Sequence, residues 1–295
     1  MRGVVTLAGD GSRMLPWARG VRKEFLPLFD RPESVRDEPV LKPVTHLVVE
    51  TLAAAQVRDL VLVVRPENRT FVQSYFTIDR SLLRRHAHQP ERLRETERFY
   101  RTLGELRLQT ALQPRPLGFG DAVLRARPFL GGEPFALHAG DAIVVEPKRG
   151  AMLRAMVDLR RREALDAVLL VRPVVDPRRY GVIEGERLAP VGGIARLRVD
   201  RMEEKPAKPR SHWAATAVYV FGPAILEKLR RRARAHPREL ELTDGIIDLL
   251  DEGANVQAMV LAPRLGRWRS VGSPEPYVRA LLETRALARR AVKPA

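Results

Sequence analysis

Ala8-Gly9-Asp10-Gly11-Ser12-Arg13-Met14-Leu15-Pro16, with Lys23-Glu24-Phe25-Leu26-Pro27 shortly after it, is the stretch whose reading decides the fold of this chain. Residues 4 to 8 in front of it are apolar and β-branched, the composition of a buried strand. A strand that empties into paired glycines exposes backbone N–H groups, which bind phosphate oxygens without crowding from side chains. Arg13 and Lys23 add fixed positive charge beside them. That spacing suits a triphosphate whose β and γ phosphates depart as pyrophosphate, because the leaving group carries the developing charge. It is neither the P-loop spacing nor the dinucleotide fingerprint.

Working outward, residues 60 to 64 and 134 to 137 repeat the pattern of an apolar run before a polar or glycine-bearing turn. Helical spacing marks residues 43 to 55 and 151 to 161, and residues 243 to 250 open on a threonine of the capping type. Strand, glycine turn and helix in alternation predict an α/β fold, a mostly parallel sheet covered on both faces. Residues 31 to 43, rich in proline and charge, read as a surface loop. Residues 81 to 106, dense in arginine and glutamate with leucines at helical intervals, read as a helical excursion over the sheet. Residues 182 to 199 read as a small antiparallel region on the ligand side. The whole of 1 to 295 is expected to be one domain, near the upper size for a single core.

Hydrophobic residues make up 45% of the chain and charged residues 30%, which fits a folded protein and excludes disorder. With no cysteine, disulfides, cysteine-based zinc sites and thiol nucleophiles are excluded. No secretory signal and no apolar run approaching ~18 residues is found, so the chain reads as cytoplasmic and without a membrane partner. The formal net charge of +16 suggests anionic partners, but only seven of the 52 basic residues are lysine and the arginines are spread throughout. A solvated surface accounts for that spread better than a nucleic-acid footprint, and 6% aromatic residues are few for stacking bases.

The opening stretch resembles the signature of the sugar-phosphate nucleotidyltransferases, Gly-x-Gly-Thr-Arg-x-Leu-Pro followed by Lys-Glu-x-Leu-Pro, with Ser12 keeping the hydroxyl of the threonine. The resemblance continues in order through Pro39-Val40-Leu41-Lys42-Pro43-Val44, Gln113 and Leu117-Gly118-Phe119-Gly120-Asp121, which look like the bacterial uridylyltransferase branch. It implies a Rossmann-like sheet of the nucleotide-diphospho-sugar transferase type, with UTP and glucose 1-phosphate as substrates, Mg²⁺ as cofactor and a homo-oligomeric state. Ala8, Gly9, Gly11, Ser12 and Arg13 would hold the nucleotide, and Lys23 the departing phosphates. A glutamine amide donates and accepts at once, so Gln113 can pair with the imide edge of uracil while Gly118 lets backbone approach the ring. A solvated loop is the other reading of Gln113.

Asp141, after an apolar strand, falls where ligands of open α/β sheets bind, and a hard carboxylate there is the expected Mg²⁺ anchor. Arg201-Met202-Glu203-Glu204-Lys205-Pro206 resembles the second lysine motif of the family, in which Lys205 grips the sugar phosphate and Glu204 the sugar hydroxyls. Tyr180 and Gly181 match its sugar-side segment, and Leu242-Thr243-Asp244 matches a helix start. The departure is Ser270 in Trp268-Arg269-Ser270-Val271-Gly272, where the family usually has an aspartate as a second metal contact. A hydroxyl is a weaker Mg²⁺ ligand than a carboxylate, which leaves a noncatalytic nucleotide-binding homologue as a rival reading. Thymidylyl transfer, or another sugar 1-phosphate, is a second rival. Histidines 46, 86, 88, 138, 212 and 236 have no metal-ligand spacing and are not expected to be catalytic.

Overall fold

The computed structural model describes residues 1–31, 38–235 and 239–292. Its strands are β1 (Arg2–Leu7), β2 (Pro27–Asp30), β3 (Val40–Pro43), β4 (Asp59–Val64), β5 (Arg107–Leu112), β6 (Phe135–Ala139), β7 (Ala142–Val145), β8 (Ala167–Pro173), β9 (Gly181–Val191), β10 (Ile194–Glu204), β11 (Trp213–Phe221), β12 (Val256–Val260) and β13 (Arg267–Ser270). The helices are α1 (Val44–Ala54), α2 (Arg69–Tyr75), α3 (Arg80–Arg85), α4 (Pro90–Gly104), α5 (Phe119–Arg125), α6 (Arg127–Leu130), α7 (Ala151–Glu163), α8 (Ala224–Ala235), α9 (Leu242–Asp251) and α10 (Pro274–Val292).

Nine strands form one sheet in the order β5-β4-β1-β6-β11-β8-β12-β10-β9. Alternation along its strands divides the core in two. Val5, Val168 and Leu170 pack on one face with Leu47 and Val48 of α1 and Met156 of α7. Val4, Leu169 and Val171 pack on the other with Val123 of α5, Leu229 of α8 and Ile246 of α9. The α/β layering with helices on both faces is the one expected from the sequence. Strand direction is more mixed than expected: β5, β4, β1 and β6 run parallel and so do β8 and β12, but β11 enters antiparallel between β6 and β8. Between β8 and β11 the chain returns through the β9–β10 hairpin instead of a helix, and antiparallel neighbours need no helical crossover.

The excursion is α3 and α4, and α4 lies against α1, with Phe99 stacked on His46 at 3.6 Å between centroids. Lys42 anchors it: its buried Nζ lies 3.0 Å from Asp30 and Glu50 and 3.2 Å from Glu95 of α4. The loop expected over 31 to 43 is only partly a loop, because residues 40 to 43 form β3 paired with β2; residues 32 to 37 lie outside the described residues. The antiparallel region of residues 182 to 199 is the β9–β10 hairpin, which extends the main sheet. Among the described residues no helix is long and apolar enough to cross a membrane.

Candidate active site

The carboxyl ends of β1 and β6 open into a cleft with two halves, a cavity of about 410 Å³ and one of about 740 Å³. The smaller is lined by Ala8, Gly9, Gly11, Ser12, Lys23 and Gln113, among others. The larger includes Tyr180, Gly181, Glu204, Glu241, Thr243 and Trp268 in its wall. Arg13, Asp141 and Gly272 line both, so the halves meet at one carboxylate and one guanidinium. The structure therefore gathers residues singled out all along the chain, from Ala8 to Ser270, into one place, with Lys205 outside both walls.

Gly11 turns the chain with φ 68°, the left-handed region that glycine enters without strain, and the backbone N–H of Met14 closes the turn on its carbonyl at 2.8 Å. Lys23 reaches under this loop and donates from Nζ to Asp141 Oδ2 at 2.6 Å. Burial works against the charge of both groups, but their mutual attraction outweighs it. The Lys23 ammonium is held above its usual pKa; Asp141, with Arg13 also nearby, is held below the usual carboxylate range. Glu24 is different. Only 2% exposed, with Oε2 unpartnered and Oε1 4.0 Å from Lys23 Nζ, it is pushed up to about 7 by burial, which Lys23 only partly offsets.

Gln113 does not present its whole amide to the cavity. Its Nε2 donates to Gly118 O at 3.1 Å and to Asp121 Oδ2 at 2.8 Å, which leaves the carbonyl oxygen as its unspent function. The expected donor-and-acceptor role thus narrows to an acceptor, because two acceptors, the Gly118 carbonyl and the Asp121 carboxylate, face the amide nitrogen and fix which way it points. Gly118 also has a structural reason for being glycine. Its φ is 99°, and a Cβ there would lie 2.3 Å from Leu240 O. What comes close on that side is the backbone of residue 240.

On the larger half, Glu204 accepts from Thr243 Oγ1 at 2.7 Å and pairs with Lys205 Nζ at 3.0 Å; Lys205 also reaches Glu241 at 3.5 Å. A Cβ on Gly181 would come within 3.1 Å of Glu204 Oε2 and 3.3 Å of Thr243 Oγ1, so glycine keeps that pair intact. Lys205 borders the cleft through these carboxylates and is 57% exposed along its side chain. Thr243 is not the cap of α9. Glu241 is, in a capping box with Asp244, and Thr243 is freed to hold Glu204.

Strand β13 runs antiparallel to β7 with Ser270 opposite Ala142, and Val271 N donates to Asp141 O at 2.9 Å. This puts Ser270 beside Asp141, its Oγ accepting from Gly272 N at 3.1 Å. Among the described residues no group of three or more histidine, cysteine, aspartate or glutamate side chains is placed to hold a metal. None of the five described histidines lines the cleft, and His236 lies outside the described residues. His138, wholly buried, is pushed down to about 4 by its burial.

Sequence reasoning quoted Glu24, Thr243 and Trp268 within motifs without seeing what they touch, and it passed over Arg172 and Glu241. The one local signal for Arg172 is a charge at the end of the apolar run of β8, where residues 167 to 171 are all buried.

The family model described as nucleotidyl transferase matches residues 2–286. Among curated proteins, a glucose-1-phosphate thymidylyltransferase of Actinoplanes sp. is 29% identical over 97% of this chain and 79% of its own length. One from Xanthomonas campestris pv. campestris is 30% identical over 85% of this chain and 70% of its own. Among solved structures, a UDP-glucose pyrophosphorylase complexed with UDP-glucose superposes with a TM-score of 0.79 at 22% identity, covering 98% of this chain and all of that one. A UTP-bound UGPase from Acinetobacter baumannii superposes with a TM-score of 0.77 at 23% identity, covering 96% and 93%. These two likenesses concern the fold.

Proposed function

The chain belongs to the nucleotidyl transferase family, and we propose that within it the protein transfers a uridylyl group from UTP to glucose 1-phosphate, giving UDP-glucose and pyrophosphate. The observation that supports this reading is the shared wall of the two cavities: Asp141 and Arg13 line both, as groups that brought a nucleotide's α-phosphate against a sugar phosphate would. A phosphate oxygen of the sugar attacks the α-phosphorus. The bond from that phosphorus to the bridging oxygen of the β-phosphate breaks, and pyrophosphate leaves with the electron pair.

No protein base is needed, since a sugar phosphate is already dianionic near neutral pH. Catalysis is positioning and charge neutralisation. The glycine-loop amides, Arg13 and Lys23 stabilise the pyrophosphate, and Lys205 aligns the attacking phosphate. Gln113 offers its carbonyl to the N3–H of the base, which uracil and thymine share.

Asp141 fits Mg²⁺, which takes one or two carboxylates and completes its shell with phosphate oxygens and water. Asp141 and the neighbouring Ser270 hydroxyl would hold it. The ion would neutralise charge on both substrates, and Lys23, released from Asp141, would turn to the departing phosphates.

The motif Leu117-Gly118-Phe119-Gly120-Asp121, which resembles the bacterial uridylyltransferase branch, supports uridylyl transfer. The names of the Actinoplanes and Xanthomonas relatives favour a second reading, thymidylyl transfer. Pyrophosphate release with Mg²⁺ and glucose 1-phosphate, with UTP against dTTP and Lys205→Ala as control, separates the two. Turnover with UTP that the substitution removes supports uridylyl transfer. Turnover with dTTP alone replaces it, and silence with both nucleotides and every sugar 1-phosphate offered, alongside measurable UTP binding, moves the protein to the noncatalytic class.

A further inference from the structure

The larger cavity carries a positive charge that the transfer reaction leaves idle. Arg172, at the end of β8, lines it, with its guanidinium 4.6 Å from the centre of the Trp268 ring and 5.3 Å from that of Tyr180. Three of the other cations in or beside this half have carboxylate partners. Lys205 spans Glu204 and Glu241, Arg269 pairs with Glu283, and Arg279 lies 3.7 Å from Glu275. Arg13 stands beside Asp141 at the phosphate end, and Arg179 is exposed at the rim, close enough to Asp176 to be felt by it.

For Arg172, by contrast, no carboxylate lies within ion-pair distance among the described residues; its neighbours are the two aromatic side chains. Burial pushes its pKa down and the nearby Arg269 adds to that, while Tyr180, which also accepts a hydrogen bond from it, offsets only part. A half-buried guanidinium without a carboxylate gains most from an anion that arrives with the ligand.

We propose that Arg172 recognises a second anionic group on the sugar, so that the preferred acceptor is a hexose 1-phosphate bearing a carboxylate, a hexuronic acid 1-phosphate. The inference rests on the reading of the site as a nucleotidyl transfer site for sugar 1-phosphates, and it refines which sugar enters. The two rings hold the planar guanidinium by cation–π contact, and its N–H fork matches one carboxylate bidentately. A neutral hexose leaves that charge without a partner.

The test measures kcat/KM from pyrophosphate release with glucose 1-phosphate and with glucuronic acid 1-phosphate, using whichever of UTP or dTTP supports turnover, in the wild type and in Arg172→Gln. The wild type should favour the uronic acid. The substitution should lower the ratio of the two values by roughly 10- to 100-fold, the range for one charge-assisted pair of hydrogen bonds, and mainly through KM. A wild type that favours glucose 1-phosphate overturns the proposal. So does a ratio that Arg172→Gln leaves unchanged, since a guanidinium that only braced Trp268 and Tyr180 would affect both sugars alike. Silence with both sugars would count against the transfer reading itself. Calorimetric binding of UDP-glucuronic acid against UDP-glucose then decides on Arg172 separately: a preference for the former that Arg172→Gln removes supports it, and equal affinities overturn it.

Discussion

Glu24→Gln should make the stability of this protein less sensitive to pH, because burial raises the Glu24 carboxyl in the folded chain. Glu24 is pushed up to about 7 in the folded chain from an ordinary 4.5, because burial penalises its charge and Asp141 repels it, which Lys23 only partly offsets. A gap of about two and a half pH units corresponds to about 3 kcal/mol. Below pH 4.5 the carboxyl is neutral in both states and costs nothing. As pH rises through the window from 4.5 to 7, the unfolded chain gives up its proton while the folded chain keeps it, so stability falls. Above 7 the folded state carries the full cost of a buried charge. Glutamine stays neutral throughout, so the stability of Glu24→Gln minus that of the wild type should grow by about 3 kcal/mol between pH 4.5 and 8. Urea unfolding at pH 4.5, 6 and 8 reads this directly, provided the slope with denaturant is the same in both proteins. Two parallel pH profiles would refute the reasoning, and with it the account of Glu24 as a buried carboxylate that the Lys23–Asp141 pair fails to satisfy.

Lys23→Ala removes the partner of Asp141 and a charge on the leaving group, so kcat should fall by about 10²- to 10³-fold. Lys205→Ala should chiefly raise KM for the sugar phosphate; steady-state kinetics giving near-normal values for both would sink the assignment. Ser270→Asp places a carboxylate beside Asp141, and the Mg²⁺ concentration for half-maximal rate should drop several-fold. An unchanged Mg²⁺ titration would mean that position 270 does not face the ion. Gly118→Ala drives a Cβ into Leu240 O at φ 99°, which should cost at least about 2 kcal/mol in urea unfolding; a loss under about 0.5 kcal/mol would contradict the close approach.

The parts of the fold that could be read in advance were those with a local cause. Alternating and continuous apolar runs placed β1, β4 and β6 within a residue or two, and helical spacing placed α1 and α7. The insertion of β11 was not legible, because strand direction depends on how the chain returns to the sheet. Position 243 was misread for a similar reason. A threonine before a helical run has the composition of a cap, but the backbone starts the helix one residue earlier, on Leu242 after Glu241, and the hydroxyl is taken by Glu204 from another element.

By itself the sequence determined that a strand ends in a glycine turn carrying Arg13 and Lys23, because positive φ, exposed N–H groups and fixed charge are properties of a few adjacent residues. Only the tertiary structure decided what the cleft presents. Asp121 orients the Gln113 amide, the pairing of β7 and β13 brings Ser270 to Asp141, and Arg172 is left between two rings without a carboxylate. Those outcomes turn on burial and on partners contributed by distant segments, and no local pattern of residues encodes which charge will find its match.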